Sequence, residues 1–407
     1  MTLKEKIVKC YKSRKLVIVI FILALFIGCV GYVKFANISV NYYDALEYKK
    51  LGKEVASGAW LTSQYFGMIR TPGYPIILGS VYTIFGEDDI YVKAIQIIIC
   101  SITAALIFYL GIILFSRLVG LLSAVWYITY YDFIRTSFIL LRETWITFFI
   151  LLTLLFFTLY SKSRKLRCII IGSLSFGCLV LIDPRYSFFL FIILMFVSFF
   201  SKNWQYRMRD LIMSMLGIMV FLIPWAVHQS RINDRVVIFS PYYDAKIISF
   251  IGAHSAAHEG DKDNTYEVKR DEYLSGVAVY LHRFIDYWRF ARFKTDIRAR
   301  DDIKYRSAWG LSKNLSNILH VGLLLPFIFI GFYLIIKMLQ LPQLFILSLL
   351  IYHMVFHLLI CYLYRYRLPI LPLFFLIGWY GVTHVTRKIA ERKLKKHFFG
   401  SNRTAVI

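Results

Sequence analysis

Two acidic residues lie where they could take part in proton transfer or metal binding. Asp44 follows the first apolar run, and Glu143 lies at the start of a later one. An acid at membrane depth is costly and usually functional. Asp44 has an ordinary alternative as the N-cap of a helix over 45–57, since aspartate is a preferred cap. Glu143 has its own alternatives, an ion pair with Arg142 or a simple interfacial position, and the residues alone leave these alternatives open.

Arginines form a second set of candidates, because several lie near the same end of different apolar runs. They are Arg70, Arg185, Arg365 and Arg367. The planar guanidinium group binds phosphate through two parallel hydrogen bonds. A single arginine at an interface more often extends its charged end to the headgroups. Several arginines that are far apart in sequence but lie at the same face of the membrane are expected to converge on one anion. We therefore predict a phosphate-binding site.

Other chemical motifs are weak or missing. The histidine pairs His254/His258 and His353/His357 have helical spacing but no third ligand, and loop exposure or interhelical hydrogen bonds explain them equally well. The six cysteines form no CxxC pair and lie in or beside apolar runs, so they predict no disulfide framework and no thiolate metal site. Without a Walker A, Rossmann or GxSxG signature, nucleotide-driven transport and serine hydrolysis have no support.

The elements that must position these residues are membrane helices. The 407 residues are 58% hydrophobic and only 18% charged, with a mean hydropathy of +0.61. These proportions exclude a disordered chain, a collagen-like fibre, a small disulfide-rich scaffold and an ordinary soluble enzyme. The net charge of +24 comes largely from basic residues beside apolar runs, which indicates membrane orientation and contact with anionic lipids rather than nucleic acid.

We predict an all-α polytopic membrane protein with about ten spans, within a range of nine to twelve. The spans are Leu16–Val33, Tyr91–Phe115, Leu118–Ile134, Ile139–Tyr160, Cys168–Ile182, Tyr186–Phe200, Leu211–Val227, Asn317–Ile336, Gln343–Tyr364 and Leu368–Thr386. The first is interpreted as a retained signal anchor, because no cleavage site follows it. Pro72–Phe85 is apolar but too short to cross, so it is predicted to be an interfacial or re-entrant helix.

This order predicts which polar segments share a side. The amino terminus, the basic segments Lys162–Arg167 and Lys202–Arg209, and the carboxy-terminal tail lie together, and the positive-inside rule makes that side cytoplasmic. Both termini are therefore expected in the cytoplasm, and the candidate site on the outer face of the cell membrane. The predicted regions are a membrane core over 1–227 with a first outer loop at 34–90, an extracytoplasmic segment over 228–316, helices over 317–386 and a basic tail over 387–407.

The candidate residues lie in a series of short motifs that resembles the GT-C glycosyltransferases, above all the protein O-mannosyltransferases and the lipid A aminoarabinose transferases. The series is Asp44–Tyr48, Arg70–Pro75, Phe85–Gly86, Glu143, Pro224–Trp225 and Arg365–Pro372. The motifs occur in order over nearly the whole chain and are densest between Tyr42 and Thr144. The resemblance implies a GT-C fold and a glycosyltransferase that takes a sugar from a polyprenyl-phosphate donor and passes it to an acceptor outside the membrane.

The resemblance also implies roles for individual residues. Asp44 matches the acid of the first outer loop, which deprotonates the acceptor hydroxyl or helps to hold a metal, and Glu143 matches a second outer acid. The basic residues that match donor-phosphate contacts are Arg70, Arg185, Arg365 and Arg367, and the pocket candidates are Tyr48, Tyr74 and Glu47. Many relatives have two adjacent acids, whereas Ala45 follows Asp44 here, so a divalent metal held by Asp44 and Glu143 is left open.

Two other functions are compatible with a polytopic chain of this kind. One is an O-antigen-type polymerase or ligase, which uses diphosphate-linked glycans. The other is a flippase of lipid-linked sugars, for which internal repeats and mid-membrane polar groups are typical. The polar candidates of this chain lie at one face, and its halves show no repeat, so the transferase is the preferred prediction. The sequence does not identify the sugar or the acceptor.

Overall fold

A computed structural model describes the arrangement of most of the chain. The described residues are 14–35, 43–63, 66–200, 203–245, 281, 284–285, 315–359 and 364–401. Within these ranges every regular element is a helix, as expected from the apolar runs. The pair His254/His258 and most of the predicted segment over 228–316 lie outside the described residues.

The helices follow the order of the apolar runs. In the first part of the chain they are α1 (Arg14–Phe35), α2 (Tyr43–Ala56), α3 (Gly73–Phe85), α4 (Asp89–Leu114), α5 (Arg117–Thr129), α6 (Tyr131–Thr136), α7 (Glu143–Ser163) and α8 (Leu166–Ile182). In the second part they are α9 (Phe189–Phe200), α10 (Trp204–Ile232), α11 (Leu325–Met338), α12 (Leu341–Leu359) and α13 (Leu371–Ser401). Short 3₁₀ segments cover Ala59–Leu61, Pro184–Tyr186 and Tyr364–Ile370, and a π-helical turn covers Ile318–Gly322.

The chain is a multi-pass membrane protein. Among the described residues, seven helices are long and apolar enough to cross a bilayer: α1, α4, α7, α10, α11 with the turn before it, α12, and α13 with the 3₁₀ segment before it. The other three predicted spans correspond to α5, α8 and α9, which have 13, 17 and 12 residues. A full crossing takes about 20 residues of helix. The exact number of ten spans therefore stays a prediction.

Two helix boundaries differ from the prediction, and both bear on the candidate acids. The predicted span Leu118–Ile134 is broken at Tyr130, whose extended backbone ends α5 before α6 begins. The next helix does not begin at Ile139 as predicted but at Glu143, so the residues just before it are not in a long helix. Glu143 thus occupies the first position of α7, where a negative charge is favoured by the exposed backbone N–H groups.

The apolar stretch predicted to be interfacial forms α3, which packs against α2. A Cβ atom on Gly79 of α3 would lie only 2.8 Å from the carbonyl oxygen of Gly52 in α2. The backbones therefore approach each other closely, and small residues permit that approach. This packing fixes α2, and with it Asp44, relative to the segment that carries Arg70.

The carbonyl oxygen of Ile182, at the end of α8, connects three segments of the site. It accepts hydrogen bonds from Thr71 Oγ1 at 2.9 Å and from Arg142 Nη1 at 3.2 Å. A second connection is Gln96 of α4, whose Oε1 accepts from Tyr74 Oη at 2.9 Å and whose Nε2 donates to the Ile139 carbonyl at 2.8 Å. Buried polar groups of this kind hold irregular backbone in one arrangement because every partner is satisfied.

The helix α12 holds two 3₁₀ segments by hydrogen bonds: Pro184–Tyr186, which follows α8, and Tyr364–Ile370, which precedes α13. Tyr352 Oη donates to the Arg185 carbonyl at 2.5 Å. His353 contacts Tyr186 Oη through Nδ1 at 3.1 Å and the Tyr366 carbonyl through Nε2 at 3.0 Å. The histidine pair of this helix, with ring centroids 4.2 Å apart, thus takes part in contacts between segments. The described residues contain no group of three or more His, Cys, Asp or Glu side chains that could hold a metal.

Gly73 offers a direct test of the contact between the start of α3 and α8. A Cβ atom there would lie 2.6 Å from the Ile182 nitrogen and 2.7 Å from the Leu181 carbonyl carbon, both backbone atoms that cannot move alone. We expect Gly73→Ala to destabilise the protein by about 2 kcal/mol through overpacking. Thermal unfolding in detergent measures this loss, and Ser80→Ala on an exposed part of α3 is the matched control. Equal melting temperatures for the two variants would contradict the close packing.

Candidate active site

Five side chains from four distant parts of the chain form an acid–arginine cluster, which consists of Asp44, Glu47, Arg70, Glu143 and Arg365. Asp44 Oδ1 accepts from Arg70 Nη2 at 2.6 Å, and its Oδ2 accepts from Arg365 Nη2. Arg70 also donates from Nε to Glu47 Oε2 at 2.8 Å. The cluster therefore joins the start of α2, the segment before α3 and the 3₁₀ segment before α13.

Glu143 completes the cluster from the start of α7. Its side chain is 5% exposed, and Oε1 lies 3.5 Å from Arg365 Nε. Its Oε2 is buried and has no hydrogen-bond partner among the described residues. The ordinary explanation of Glu143 as the partner of Arg142 does not describe these contacts, because Arg142 donates to Ile182 instead. An unpaired buried oxygen is costly, and it leaves this carboxylate able to accept from a ligand.

The arginines hold Asp44 in its ionised form. Burial raises the pKa of this carboxyl, but Arg365 and Arg70 lower it by more, and Arg142 adds to the lowering. The net pKa lies below the ordinary value because the ionised form is surrounded by cations and accepts charged hydrogen bonds. The contacts of Asp44 are thus side chain to side chain with arginines, whereas a helix cap would accept from the backbone of its own helix.

The two predicted pocket tyrosines, Tyr48 and Tyr74, lie beside the cluster. Tyr48 is buried, its ring lies 5.5 Å from the guanidinium carbon of Arg70, and it packs edge-on against the Tyr74 ring at 4.8 Å. Burial raises the pKa of Tyr48 to about 12, so its hydroxyl stays protonated. Tyr74 is fully buried and bonded to Gln96, which gives it a supporting position behind Tyr48.

Arg185 lies in a second group, built on the turn after α8. Its guanidinium donates from Nη2 to Asp183 Oδ2 at 2.5 Å and from Nε to Asp183 Oδ1 at 2.8 Å. Its guanidinium carbon lies 3.8 Å from the centroid of the Tyr366 ring, and that of Arg365 lies 5.6 Å from the same centroid. Tyr366 thus contacts an arginine of each group. Burial raises the pKa of Asp183, but Arg185 and Arg142 bring it below the ordinary value.

Arg367 is not part of the acid–arginine cluster. It is buried, and its Nη2 lies 3.5 Å from Asn317 Oδ1, which also accepts a hydrogen bond from Tyr130 Oη. These residues connect the 3₁₀ segment before α13 to the π-helical turn before α11. The structure therefore brings Arg70, Arg185 and Arg365 to one region and places Arg367 against another side of the same turn.

Sequence reasoning did not single out three residues that now belong to the site: Arg142, Asp183 and Gln96. A signal existed for the first two, since each is adjacent or nearly adjacent to a predicted residue, at Arg142–Glu143 and Asp183–Arg185. Both are polar and directly flank apolar runs, where ionisable groups are rare and usually functional. Gln96 lies inside an apolar run, and its role as a connector becomes visible only from its three hydrogen bonds.

The predicted metal ligands do not fit a divalent cation in this arrangement. Arg365 contacts both Asp44 and Glu143, so a guanidinium group occupies the position that a metal between them would need. Divalent cations such as Mg²⁺ and Mn²⁺ prefer several oxygen ligands without a competing cation.

One family of known proteins matches part of this chain. The profile of a family described as dolichyl-phosphate-mannose-protein mannosyltransferase matches residues 70–229. Those residues include Arg70, Glu143 and Arg185, and they run from the segment before α3 to the last turn of α10. A sequence search among curated proteins finds no match.

Solved structures extend the likeness to nearly the whole chain. The apo oligosaccharyltransferase of Archaeoglobus fulgidus is 14% identical with a TM-score of 0.58, and the match covers 95% of this chain and 52% of that one. The chain has the GT-C fold. The same archaeal enzyme in complex with an inhibitory peptide and a dolichol-phosphate gives 13% identity and a TM-score of 0.56, with 95% and 52% coverage. Its complex with Zn and sulfate is 13% identical with a TM-score of 0.57, and the match covers 94% of this chain and 51% of that one.

These likenesses confirm the predicted resemblance to the GT-C glycosyltransferases and the all-helical fold class. The matching family and the solved neighbours are themselves a mannosyltransferase family and an oligosaccharyltransferase by name. The chain spans about half the length of the solved structures that it matches. The roles of individual residues in the GT-C fold of this chain are not tested by any of these likenesses and stay predictions.

Proposed function

We propose that the chain transfers a sugar from a polyprenyl-phosphate donor to a hydroxyl group of an extracytoplasmic acceptor on a cell-envelope glycan, lipid or protein. The observation that carries this proposal is the contact of one arginine, Arg365, with two carboxylates, Asp44 and Glu143, from distant parts of the chain. Glycosyl transfer from a lipid phosphate needs a base for the acceptor and cations for the departing phosphate. The acid–arginine cluster contains both the carboxylates and the cations.

The proposed reaction is a single displacement. The acceptor oxygen forms a bond to the anomeric carbon while the bond from that carbon to the phosphate oxygen breaks, and the electron pair leaves with the phosphate. The acceptor proton passes to Asp44, and the free polyprenyl phosphate gains the negative charge. Arg365 and Arg70 stabilise that charge as it develops, as preorganised donors do in other transferases. From a β-linked donor the product would have the inverted configuration, which NMR of the product determines.

The resting contacts suggest that the donor enters first. While Arg70 and Arg365 are bonded to Asp44, its carboxylate is a weak base, because the neighbouring cations favour the ionised form. A phosphate group that takes hydrogen bonds from the same arginines weakens their hold on Asp44 and makes it more basic. Binding of the donor would thus prepare the base for the acceptor.

The choice of donor is supported by the comparisons and by the sequence motifs together. The matching family is described by its dolichyl-phosphate-mannose donor, and one solved neighbour is in complex with a dolichol-phosphate. A polymerase or ligase that uses diphosphate-linked glycans remains the alternative enzyme, and a flippase remains the alternative outside enzymes. Neither requires an acid positioned by arginines at the outer loop, so the transferase is the better account of the cluster.

The test is an assay of the purified protein in detergent with labelled undecaprenyl-phosphate hexoses and pentoses. We expect release of undecaprenyl phosphate, by transfer or by slow hydrolysis, with at least one of these donors. A parallel reaction with a diphosphate-linked glycan tests the polymerase. Turnover of the diphosphate donor alone, or movement of an intact lipid-linked sugar across vesicles without cleavage, would overturn the proposal.

Because the candidate ligands face Arg365, the proposed mechanism uses no metal ion. We expect transfer activity to survive treatment with EDTA followed by gel filtration. A loss that added Mn²⁺ or Mg²⁺ restores would contradict this part of the proposal.

The depressed pKa of Asp44 predicts a pH profile for the free enzyme. Asp44 is ionised at every pH above its ordinary value of about 3.9, and it becomes protonated only as the pH falls through its lowered folded-state pKa. The value of kcat/KM for the donor, which reports groups of the free enzyme, should therefore show no acidic limb from Asp44 between about pH 5 and 7. Arg70→Gln removes one cation, so an acidic limb should appear at higher pH than in the wild type. A wild-type limb near pH 6 that this variant does not move would contradict the prediction.

A further inference from the structure

Arg142 differs from the other arginines of the site in its contacts. It is 5% exposed, and it makes one hydrogen bond, from Nη1 to the Ile182 carbonyl at 3.2 Å. In the part of the chain that the structure describes, it forms no ion pair within 4 Å. A guanidinium group carries five N–H donors, so most of the donors of Arg142 are unused. A buried charge without a partner is costly.

The neighbouring arginines are already engaged by acids. Arg70 contacts Asp44 and Glu47, the Arg185 guanidinium donates three hydrogen bonds to Asp183, and Arg365 contacts Asp44 and Glu143. A ligand of Arg70 or Arg365 would first have to compete with a carboxylate for their bonded nitrogens. Arg185 has a buried Nη1 without a hydrogen-bond partner among the described residues, but its Nε and Nη2 are bonded to Asp183. Arg142 needs no such exchange, because its one partner is a neutral carbonyl.

The position of Arg142 is also central. It directly precedes Glu143, its charge acts on both Asp44 and Asp183, and it acts on the Tyr48 and Tyr366 rings that flank the two groups. Its backbone lies in the non-helical residues before α7, which Gln96 holds through the Ile139 carbonyl. A guanidinium group that is buried, rigidly held and uncommitted is suited to bind an anion.

We propose that Arg142 is the primary ligand of the donor phosphate, with Arg365 and Arg70 joining it only as they release Asp44. This assignment rests on the proposed function, and it adds a residue that neither the motifs nor the arginine pattern indicated. It also separates two tasks: Arg142 captures the phosphate, while the acid-bound arginines respond to it.

The experiment measures binding of undecaprenyl phosphate without sugar to the purified full chain in detergent. We expect Arg142→Gln to weaken binding about 10- to 100-fold, since it removes a charge-assisted pair of hydrogen bonds. Arg142→Lys should lose less, because it keeps the charge but not the planar donor geometry. Titration with inorganic phosphate in the same assay separates the anion from the lipid: displacement at millimolar concentration assigns the site to the phosphate group, and lack of displacement would overturn that assignment.

The matched control is Thr71→Val, which removes the other hydrogen bond to the same Ile182 carbonyl without changing any charge. Its melting temperature should fall by the effect of one lost hydrogen bond, while its affinity stays within about twofold of the wild type. Wild-type binding that is retained in Arg142→Gln overturns the role of Arg142 and leaves the proposed function intact. Failure of the wild type to bind any polyprenyl phosphate overturns the proposed function itself.

Discussion

Asp44→Asn should change catalysis and phosphate binding in opposite directions. Loss of the base should lower transfer by at least about 100-fold, within the range for general-base catalysis. Binding of undecaprenyl phosphate should become about 5- to 10-fold tighter, because Arg70 and Arg365 lose the carboxylate that engages them. Transfer assays and equilibrium binding on the same preparation measure the two effects.

The direction of the second effect follows from the charge balance. The described residues of the two groups, taken together with Arg142, contain four arginines (Arg70, Arg142, Arg185 and Arg365) and four acids (Asp44, Glu47, Glu143 and Asp183). Removal of one acid leaves an excess positive charge for the phosphate.

Asp89→Asn is the control for this variant. It makes the same chemical change at a residue outside both groups, which is paired with Lys49. It should leave both the transfer rate and the affinity for undecaprenyl phosphate within about twofold of the wild-type values. Weaker phosphate binding by Asp44→Asn would show that Asp44 supports the phosphate site rather than competing with it.

Arg365→Gln should have the largest effect on stability and activity together. It removes the shared partner of Asp44 and Glu143 and leaves the buried Glu143 without its cation. Breaking a buried ion pair costs about 3 kcal/mol or more, and the partial exposure of Arg365 reduces the expected loss to about 2 kcal/mol. Transfer should fall below detection, since the phosphate also loses a stabilising cation. Thermal unfolding and the transfer assay measure these losses.

A double variant separates charge from packing. When Glu143→Gln is added to Arg365→Gln, the unpaired carboxylate is gone, so about half of the lost stability should return. Activity should not return, because both groups belong to the proposed site. Additive losses in the double variant would mean that Arg365 and Glu143 do not interact energetically, which is incompatible with the 3.5 Å contact.

The fold and much of the site could be predicted because they depend on strong local signals. Apolar runs predicted the helices, and the low tolerance of membranes for charge made Asp44, Glu143 and the arginines conspicuous. The ordered motifs then predicted the GT-C fold, which the structural likeness confirms. Helix boundaries were less predictable: the apolar residues 139–141 extend the run as if they were part of the span, although the helix begins at Glu143.

The pairing of the residues could not be predicted, because it depends on how distant turns meet. Nothing local distinguishes Arg365 from Arg367, yet one contacts Asp44 and the other contacts Asn317. Likewise, an ion pair between Arg142 and the adjacent Glu143 is one of the alternatives that the residues alone leave open. Adjacent residues at a helix start point in different directions, and only the position of α8 shows that Arg142 reaches Ile182 instead.

The bond between Asp44 and Arg365 joins residues that are 321 positions apart. The ribosome therefore makes Asp44 321 residues before it makes Arg365. While the intervening residues are synthesised and inserted, Asp44 can pair with its companion Arg70 but not with Arg365. A chain interrupted anywhere between the two would lack this bond, so under the proposed function the appearance of transfer activity would report that synthesis has passed Arg365.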